Sequence, residues 1–385
     1  MPRWIGAVLF FSVAAAIWTA MHVYLYTRVA NALDLGETGR TAFKFVVAGL
    51  AIAYLLGRLM DGRWDGASFV LTWVGAIWMG FVALAATAFA IRDLTVALPV
   101  AGMARWGGLD VELAASISRW SARVALGVAG VALAWGLVVV QRGPTATEVE
   151  VPLKGLAKEL DGFRIVQVSD IHIGETVGEA YLEKIVGVAN GLDADLVVVT
   201  GDVTDQHNGG DGTGLRQLAG IHSRNGVLVS TGNHEVYAGG QGVVDAIEAA
   251  GMKVLRQSHV VVAGGLVVAG VDDPTFLGGR DKLADAMATA VAGRPEGLPV
   301  VLLSHQPLEL AAAADLGIGL VLCGHTHGGQ IPPFQVLNRI AYSFITGLHR
   351  VGDMQVYVSN GSGYWGPPVR VFADPEVVRV TLRSI

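Results

Sequence analysis

Charge is scarce in this sequence. Of 385 residues only 16% are Asp, Glu, Lys or Arg, while 52% are hydrophobic and the mean hydropathy is +0.50. Soluble domains carry about 25% charge, so the deficit argues against a wholly soluble protein. It also argues against disorder, because apolar surface is ample. Cysteine is nearly absent: Cys323 stands alone, which excludes an internal disulfide and a cysteine-based zinc site but fixes no redox compartment. The basic residues form no long stripe, so nucleic-acid binding has no electrostatic support. The glycine-rich stretch 208–214 carries no phosphate-loop lysine and reads as a surface loop.

What is present falls into two parts. Residues 1–142 hold 11 basic and 7 acidic residues, and the remainder holds 16 and 26 together with nine of the ten histidines. The first part contains charge-free runs of 24 residues (4–27), 26 residues (66–91) and 18 residues (124–141). A helix needs about 20 mostly apolar residues to cross the hydrocarbon core. Residues 41–60 also qualify if Lys44 and Arg58 snorkel to the interfaces. About four transmembrane helices are therefore expected, near 4–27, 41–60, 67–91 and 122–141, with Trp4, Trp64, Trp120 and Trp135 as interfacial anchors. Residues 94–104, broken by Pro99, are too short to span and read as an interfacial or re-entrant helix. A signal peptide at the first run would still leave three spans. Loops one and three hold seven basic residues (Arg28, Arg40, Lys44, Arg92, Arg105, Arg119, Arg123), against Arg3, Arg58, Arg63 and Arg142 on the other side. This count puts those loops in the cytoplasm and the C-terminal domain outside the cell membrane. The expected spans lack paired charges of the kind that mark a transporter pathway.

The pattern changes after Arg142. Residues 143–152 read as a linker and 153–385 as an α/β domain, large enough to bury a sizeable core. Strands are expected at 163–169, 196–200, 227–231, 266–271, 300–304, 320–323, 355–359 and 377–382. Helical patterns near 178–190, 214–223, 241–250, 281–291 and 307–314 alternate with them, which predicts sheets covered by helices.

Five of these strands end in short donor groups. Asp170 and His172 follow the first, Asp202 the second, Asn233 and His234 the third, His305 the fifth, and His325 and His327 the sixth. Ligand sites of α/β sheets assemble at the carboxyl ends of strands, and a glycine before a ligand permits a tight turn. Mixed oxygen and imidazole donors suit Mn²⁺, Fe or Zn²⁺, whereas an all-oxygen set would suit Mg²⁺ or Ca²⁺. Seven candidate ligands among them are too many for one ion and suit two ions sharing a carboxylate. His207, His222, His259 and His349 read as solvated or structural, and Cys323 as a small core residue beside the site.

The ordered series D-x-H, G-D-x-x-D, G-N-H-E, H and G-H-x-H over 163–327 resembles the calcineurin-like metallophosphoesterases. Gly328-Gly329-Gln330-Ile331 and the segment 360–370, Asn-Gly-Ser-Gly-Tyr-Trp-Gly-Pro-Pro-Val-Arg, resemble its membrane-associated subgroup. That subgroup includes bacterial phosphodiesterases and transmembrane proteins with a metallophosphoesterase domain, and it is similar to UDP-2,3-diacylglucosamine pyrophosphatases. The resemblance implies two facing mixed β-sheets flanked by helices. It implies one divalent metal on Asp170, His172 and His327, a second on Asn233, His305 and His325, and Asp202 bridging them, with Mn²⁺ the first choice and Fe or Zn²⁺ as alternatives. His234, oriented by Asp205, would protonate the leaving oxygen or contact the phosphate while a hydroxide shared by the cations attacks phosphorus. Phe334, Tyr342 and Phe344, in the run 332–348 after the last ligands, are expected either to pack on the core or to line a lipid-facing groove leading to the metals. The expected substrate is a phosphodiester or pyrophosphate in a lipid or cell-envelope precursor at the bilayer. A soluble phosphoester, with the spans as anchor, and a non-catalytic membrane scaffold or sensor are the alternatives.

Overall fold

Val, Leu and Ile occupy alternate positions on both faces of most strands after residue 142, so each sheet must be covered twice. The computed structural model describes residues 3–60, 65–210 and 212–385 and meets this demand with two six-stranded mixed sheets. The first contains β1 (Thr145–Leu153), β2 (Arg164–Val168), β3 (Leu196–Thr200), β4 (Val227–Ser230), β5 (Lys253–Val254) and β12 (Glu376–Ser384), in the order β1-β12-β2-β3-β4-β5. The second contains β6 (Ser258–Val262), β7 (Leu266–Gly270), β8 (Val300–Leu303), β9 (Leu320–Cys323), β10 (Gly347–Val351) and β11 (Met354–Val358), in the order β10-β11-β9-β8-β7-β6. Ile165, Leu196 and Val198 meet Val301, Leu303, Leu320 and Leu322 in the core between the sheets. The alternate residues Val166, Val168, Val197 and Val199 pack on Leu182 and Ile185 of the helix Glu179–Gly191. On the other side Val300, Leu302 and Val321 pack on Leu283 and Met287 of the helix Leu283–Val291. Strands β2 to β5 run parallel, as do β7, β8, β9 and β11, which gathers several carboxyl ends along one edge of each sheet.

Residues 145–152, expected to be linker, are strand. They form β1, paired in parallel with β12 from Thr145↔Glu376 to Leu153↔Ser384. Val151 and Leu153 enter the core, while Glu148 pairs with Arg379 and Glu150 with Arg383.

By contact the chain divides into two units, and the sheets make up most of one. The other comprises the residues up to Val138 with two short segments, Ile331–Pro333 and Gly366–Val371. It is built on α1 (Arg3–Ala32), α2 (Glu37–Met60), α3 (Asp65–Arg92), α4 (Leu98–Arg105) and most of α5 (Val111–Arg142). Among the described residues three helices are long and apolar enough to cross a membrane: Glu37–Met60, Gly66–Arg105 and Val111–Arg142. α1 covers the expected first span, although the side chains of Arg3 and Trp4 are not described. Arg63, Trp64 and Asp211 lie outside the described residues.

The stretch 94–104 is not a separate re-entrant or interfacial helix but continues α3. A π-helical turn, Asp93–Ala97, joins α3 to α4, with the Leu98 N–H bonded to Asp93 O five residues back. Pro99 then falls in the first turn of α4, where a missing N–H costs little. Asp93 accepts from Tyr24 at 2.7 Å and pairs with Arg28 at 2.5 Å and Arg92 at 2.6 Å. Helices α2 and α3 meet through glycine, because a Cβ at Gly75 would lie 2.2 Å from the Tyr54 backbone nitrogen. Ile331, Val369 and Val371 share a buried cluster with Leu25, Val82, Phe89 and Ala129.

Candidate metal centre

The expected donors sit on the loops leaving β2, β3, β4, β8 and β9, and six of the seven expected ligands fall into two clusters. Asp170, His172 and His327 make one, and Asp202, His305 and His325 the other, each with ligand atoms within 4.8 Å of one another. In the first, His172 Nε2 faces His327 Nε2 at 3.1 Å, and Asp170 Oδ1 lies 3.6 Å from His327 Nε2. In the second, His305 Nε2 lies 3.2 Å from His325 Nδ1 and 3.1 Å from Asp202 Oδ2. That same Asp202 oxygen is 3.7 Å from His172 Nε2, so one carboxylate spans both clusters.

The backbone is bent to make this possible. Asp170, His172, Asp202, His325 and His327 all adopt positive φ, between 51° and 70°. L-residues reach this region at a cost, and such conformations concentrate at functional sites. Gly324, before His325, has no room for a side chain: a Cβ would lie 2.0 Å from Ser169 Oγ and 2.2 Å from Asp170 Oδ2. The same tightness at Gly201 would drive a Cβ to 2.6 Å from His305 Nδ1.

Further groups fix the ring orientations. His305 Nδ1 donates to Thr200 O at 2.7 Å, leaving Nε2 for the site. Asp205 Oδ1 accepts from His172 Nδ1 at 3.0 Å and from His234 Nδ1 at 2.7 Å. Asp205 thus bonds His234 and also a metal-ligand candidate, His172, a second contact the sequence reading missed. Glu235 was missed too. Its carboxylate accepts the backbone N–H groups of Asp202 (3.0 Å), Val203 (2.7 Å) and Gly232 (2.6 Å), tying the loop after β3 to the loop after β4. The G-N-H-E spacing carried the signal, because a glutamate three residues into a helix can reach back to its start.

Electrostatically the centre is built for cations. Burial opposes a charge on His172, but Asp205, Asp202 and Asp170 around it raise its pKa to about 9. His305 is likewise pushed well above the ordinary value, against its burial, chiefly by Asp202. Burial and the adjacent His305 instead lower His325 to about 3. Burial raises Asp170, whereas at Asp202 burial is outweighed by His305, His172 and His234 together, which hold it low. Protons on His172 and His305 thus occupy positions that divalent cations would take. Among the described residues the buried Asn233 Oδ1 has no hydrogen-bond partner, as a metal-ligand oxygen would have none from the protein. The donor set fits metal.

The expected groove residues separate. Tyr342 is at the centre, its ring 5.5 Å from His325 and its hydroxyl donating to Gln306 Oε1 at 3.2 Å. Phe334 stands exposed on the helix Phe334–Ala341. Phe344 packs against the cluster outside the second sheet, the core-packing alternative, and stacks on His349 at 4.1 Å. Two unforeseen aromatics flank His234 instead, Tyr237 at 5.3 Å and Trp365 at 5.7 Å between ring centroids. Trp365 lies in the 360–370 segment, which was its only signal.

A family model for calcineurin-like phosphoesterases matches residues 163–329. Over 285 residues the chain is 34% identical to a transmembrane protein with metallophosphoesterase domain from Danio rerio, covering 71% of this chain and 65% of that one. An uncharacterized metallophosphoesterase of Aquifex aeolicus is 30% identical over 58% of this chain and 85% of its own length. The metallophosphoesterase YkuE of Bacillus subtilis is 30% identical over 58% of this chain and 80% of its own. The chain spans just under two thirds of the Danio rerio relative. Two facing sheets, donors at their carboxyl edges and relatives matched over most of their length agree: this chain belongs to the calcineurin-like metallophosphoesterase family.

Proposed function

We propose that the protein is a membrane-embedded phosphoesterase that hydrolyses a phosphodiester or pyrophosphate bond at a dinuclear centre. The observation that carries this reading is Asp202 Oδ2, 3.7 Å from His172 Nε2 in one cluster and 3.1 Å from His305 Nε2 in the other. Asp170, His172 and His327 would hold one cation and Asn233, His305 and His325 the second, with Asp202 shared. The mixed donors favour Mn²⁺ and accept Fe or Zn²⁺. Bound there, two divalent cations supply Lewis acidity toward phosphoryl oxygens and toward water.

The chain's own residues do the rest. His234 gives Nδ1 to Asp205, so the proton it passes to a leaving oxygen is on Nε2. Asp205 is a positioning residue for both imidazoles. Tyr237 and Trp365 bracket His234, the side on which a leaving group departs, and Tyr342 borders His325. A lipid or cell-envelope precursor is the proposed substrate, supported by the three apolar helices and by the exposed Phe334. The excess of basic residues at 28–44 and 92–123 supports an extracytoplasmic domain on the cell membrane.

The test is hydrolysis of bis-p-nitrophenyl phosphate by the detergent-purified full chain, with Mn²⁺ and with chelator, beside Asp202→Ala and His234→Ala. Metal-dependent turnover that vanishes in Asp202→Ala is expected. No turnover with Mn²⁺, Fe²⁺, Zn²⁺ or Co²⁺, from protein that binds the metals, would overturn the reading in favour of a metal-binding scaffold. Equal activity on soluble and bilayer-borne phosphodiesters would replace the lipid substrate by a soluble one.

A further inference from the structure

The helix Phe334–Ala341 is inside out. An amphipathic helix on a soluble domain turns its apolar stripe to the core, but here the polar side chains face the protein. Asn338 donates to Thr326 O at 2.8 Å, and the backbone of Gln335 lies so close to Gly329 that a Cβ there would come within 2.5 Å. Phe334, Val336, Leu337 and Ile340 face outward at 46%, 59%, 50% and 80% exposure. At 100° per residue these four and Ala341 cover an unbroken arc of about 160°, with exposed Arg339 beyond the edge at Val336.

We infer that this helix lies in the bilayer interface, its apolar arc among the acyl chains and Arg339 among the headgroups. The inference rests on the membrane setting of the reading above and deepens it by naming a lipid surface as the partner of this face. Chain continuity is the argument for lipid over another protein. Phe334 directly follows Ile331–Pro333, and Trp365 and Phe372 flank Gly366–Val371, the two segments that fold with the apolar helices. Trp365 and Phe372 are exposed as well. Large apolar side chains left uncovered at the points where the chain enters and leaves a membrane unit match the aromatic and amphipathic anchoring of interfacial segments. A basic residue at the border of the arc fits anionic headgroups. The helix is also pinned to the centre, since Thr326, which accepts from Asn338, lies between His325 and His327.

The experiment uses the full chain, in which the one native cysteine, Cys323, is fully buried. Leu337→Cys, Ile340→Cys and, as a water reference on an exposed turn, Asp353→Cys each receive a nitroxide label in nanodiscs of phosphatidylcholine and phosphatidylglycerol. Both helix positions are exposed, so folding is not at stake, and elution and melting profiles confirm it. Collision rates with oxygen and with a water-soluble nickel chelate are then read. The expected result is higher oxygen and lower nickel-chelate collision at 337 and 340 than at 353. Rates equal to those at 353 place the arc in water and overturn the inference. Shielding from both agents, with an immobilised spectrum, reveals a protein partner or second copy and overturns it too. The probe reports location whether or not any phosphoester is hydrolysed, so its failure is separate from failure of the proposed activity.

Discussion

Replacing Asp205 by asparagine removes one negative charge and leaves the side-chain volume unchanged. In the native chain that charge anchors His172 Nδ1 at 3.0 Å and His234 Nδ1 at 2.7 Å. Hydrogen bonds to charged groups contribute about 1.5–3 kcal/mol, and each ~1.4 kcal/mol is a factor of ten. A carboxylate behind an imidazole also makes it a better metal ligand, and losing such a partner costs about 10–100-fold in metal affinity. Asp205→Asn should therefore weaken Mn²⁺ binding by one to two orders of magnitude, and more for the cation on His172 than for the one on His305. Turnover should fall further at saturating metal, because His234 loses its anchor as well. Competition against a chromophoric chelator gives the two dissociation constants, and kcat on a phosphodiester with an alkyl leaving group, which needs the proton from His234, gives the second effect. His234→Ala is the control that should lower kcat and leave both affinities in place. Unchanged metal affinity in Asp205→Asn would refute the argument that this carboxylate acts through His172.

Three further outcomes are expected. His234→Ala should slow esters with poor leaving groups by about 10²–10⁴-fold and nitrophenyl esters much less, and equal slowing of both would remove the general-acid role. Gly324→Ala should destabilise the protein by about 1–3 kcal/mol in thermal melts, because the new Cβ meets Ser169 and Asp170. Gly187→Ala, in open space within a helix, should be neutral or stabilising. With His172 raised to about 9 and His305 also raised, metal binding at pH 7 should release protons, which calorimetry in two buffers of different ionisation enthalpy measures. The sign follows from the raised values: in the metal-free protein the His172 contribution to stability is complete below about 6.5 and is lost as pH rises through 9. Metal affinity should accordingly rise with pH over the same range.

The donors were legible because each lies within a few residues of a strand whose apolar run announces it. Asp170 to His172 and His325 to His327 are local patterns, and parallel strands bring them to the same edge. What escaped depends on distant partners. β1 reads as a linker because Glu148 and Glu150 break its apolar run, and the arginines that balance them, Arg379 and Arg383, lie more than 200 residues away. Glu235 looked like part of a motif without a task, since the N–H groups that donate to it are backbone groups of another loop. Phe344 allowed two readings from sequence, core or groove, and only the fold shows it on the outer cluster, stacked on His349. Pro99 suggested a break in the helix, and a single π turn absorbs it.

β12 sits between β1 and β2, although it follows them by more than 200 residues in the chain. Ribosomes add roughly 5–20 residues per second, so the neighbouring edges of β1 and β2 wait on the order of 10–40 s for the strand that joins them. By then the apolar helices upstream of β1 have long left the ribosome. Assembly of the first sheet is thus a late event, and an open pair of strand edges beside a membrane is what quality control would meet in any chain stopped short of Glu376.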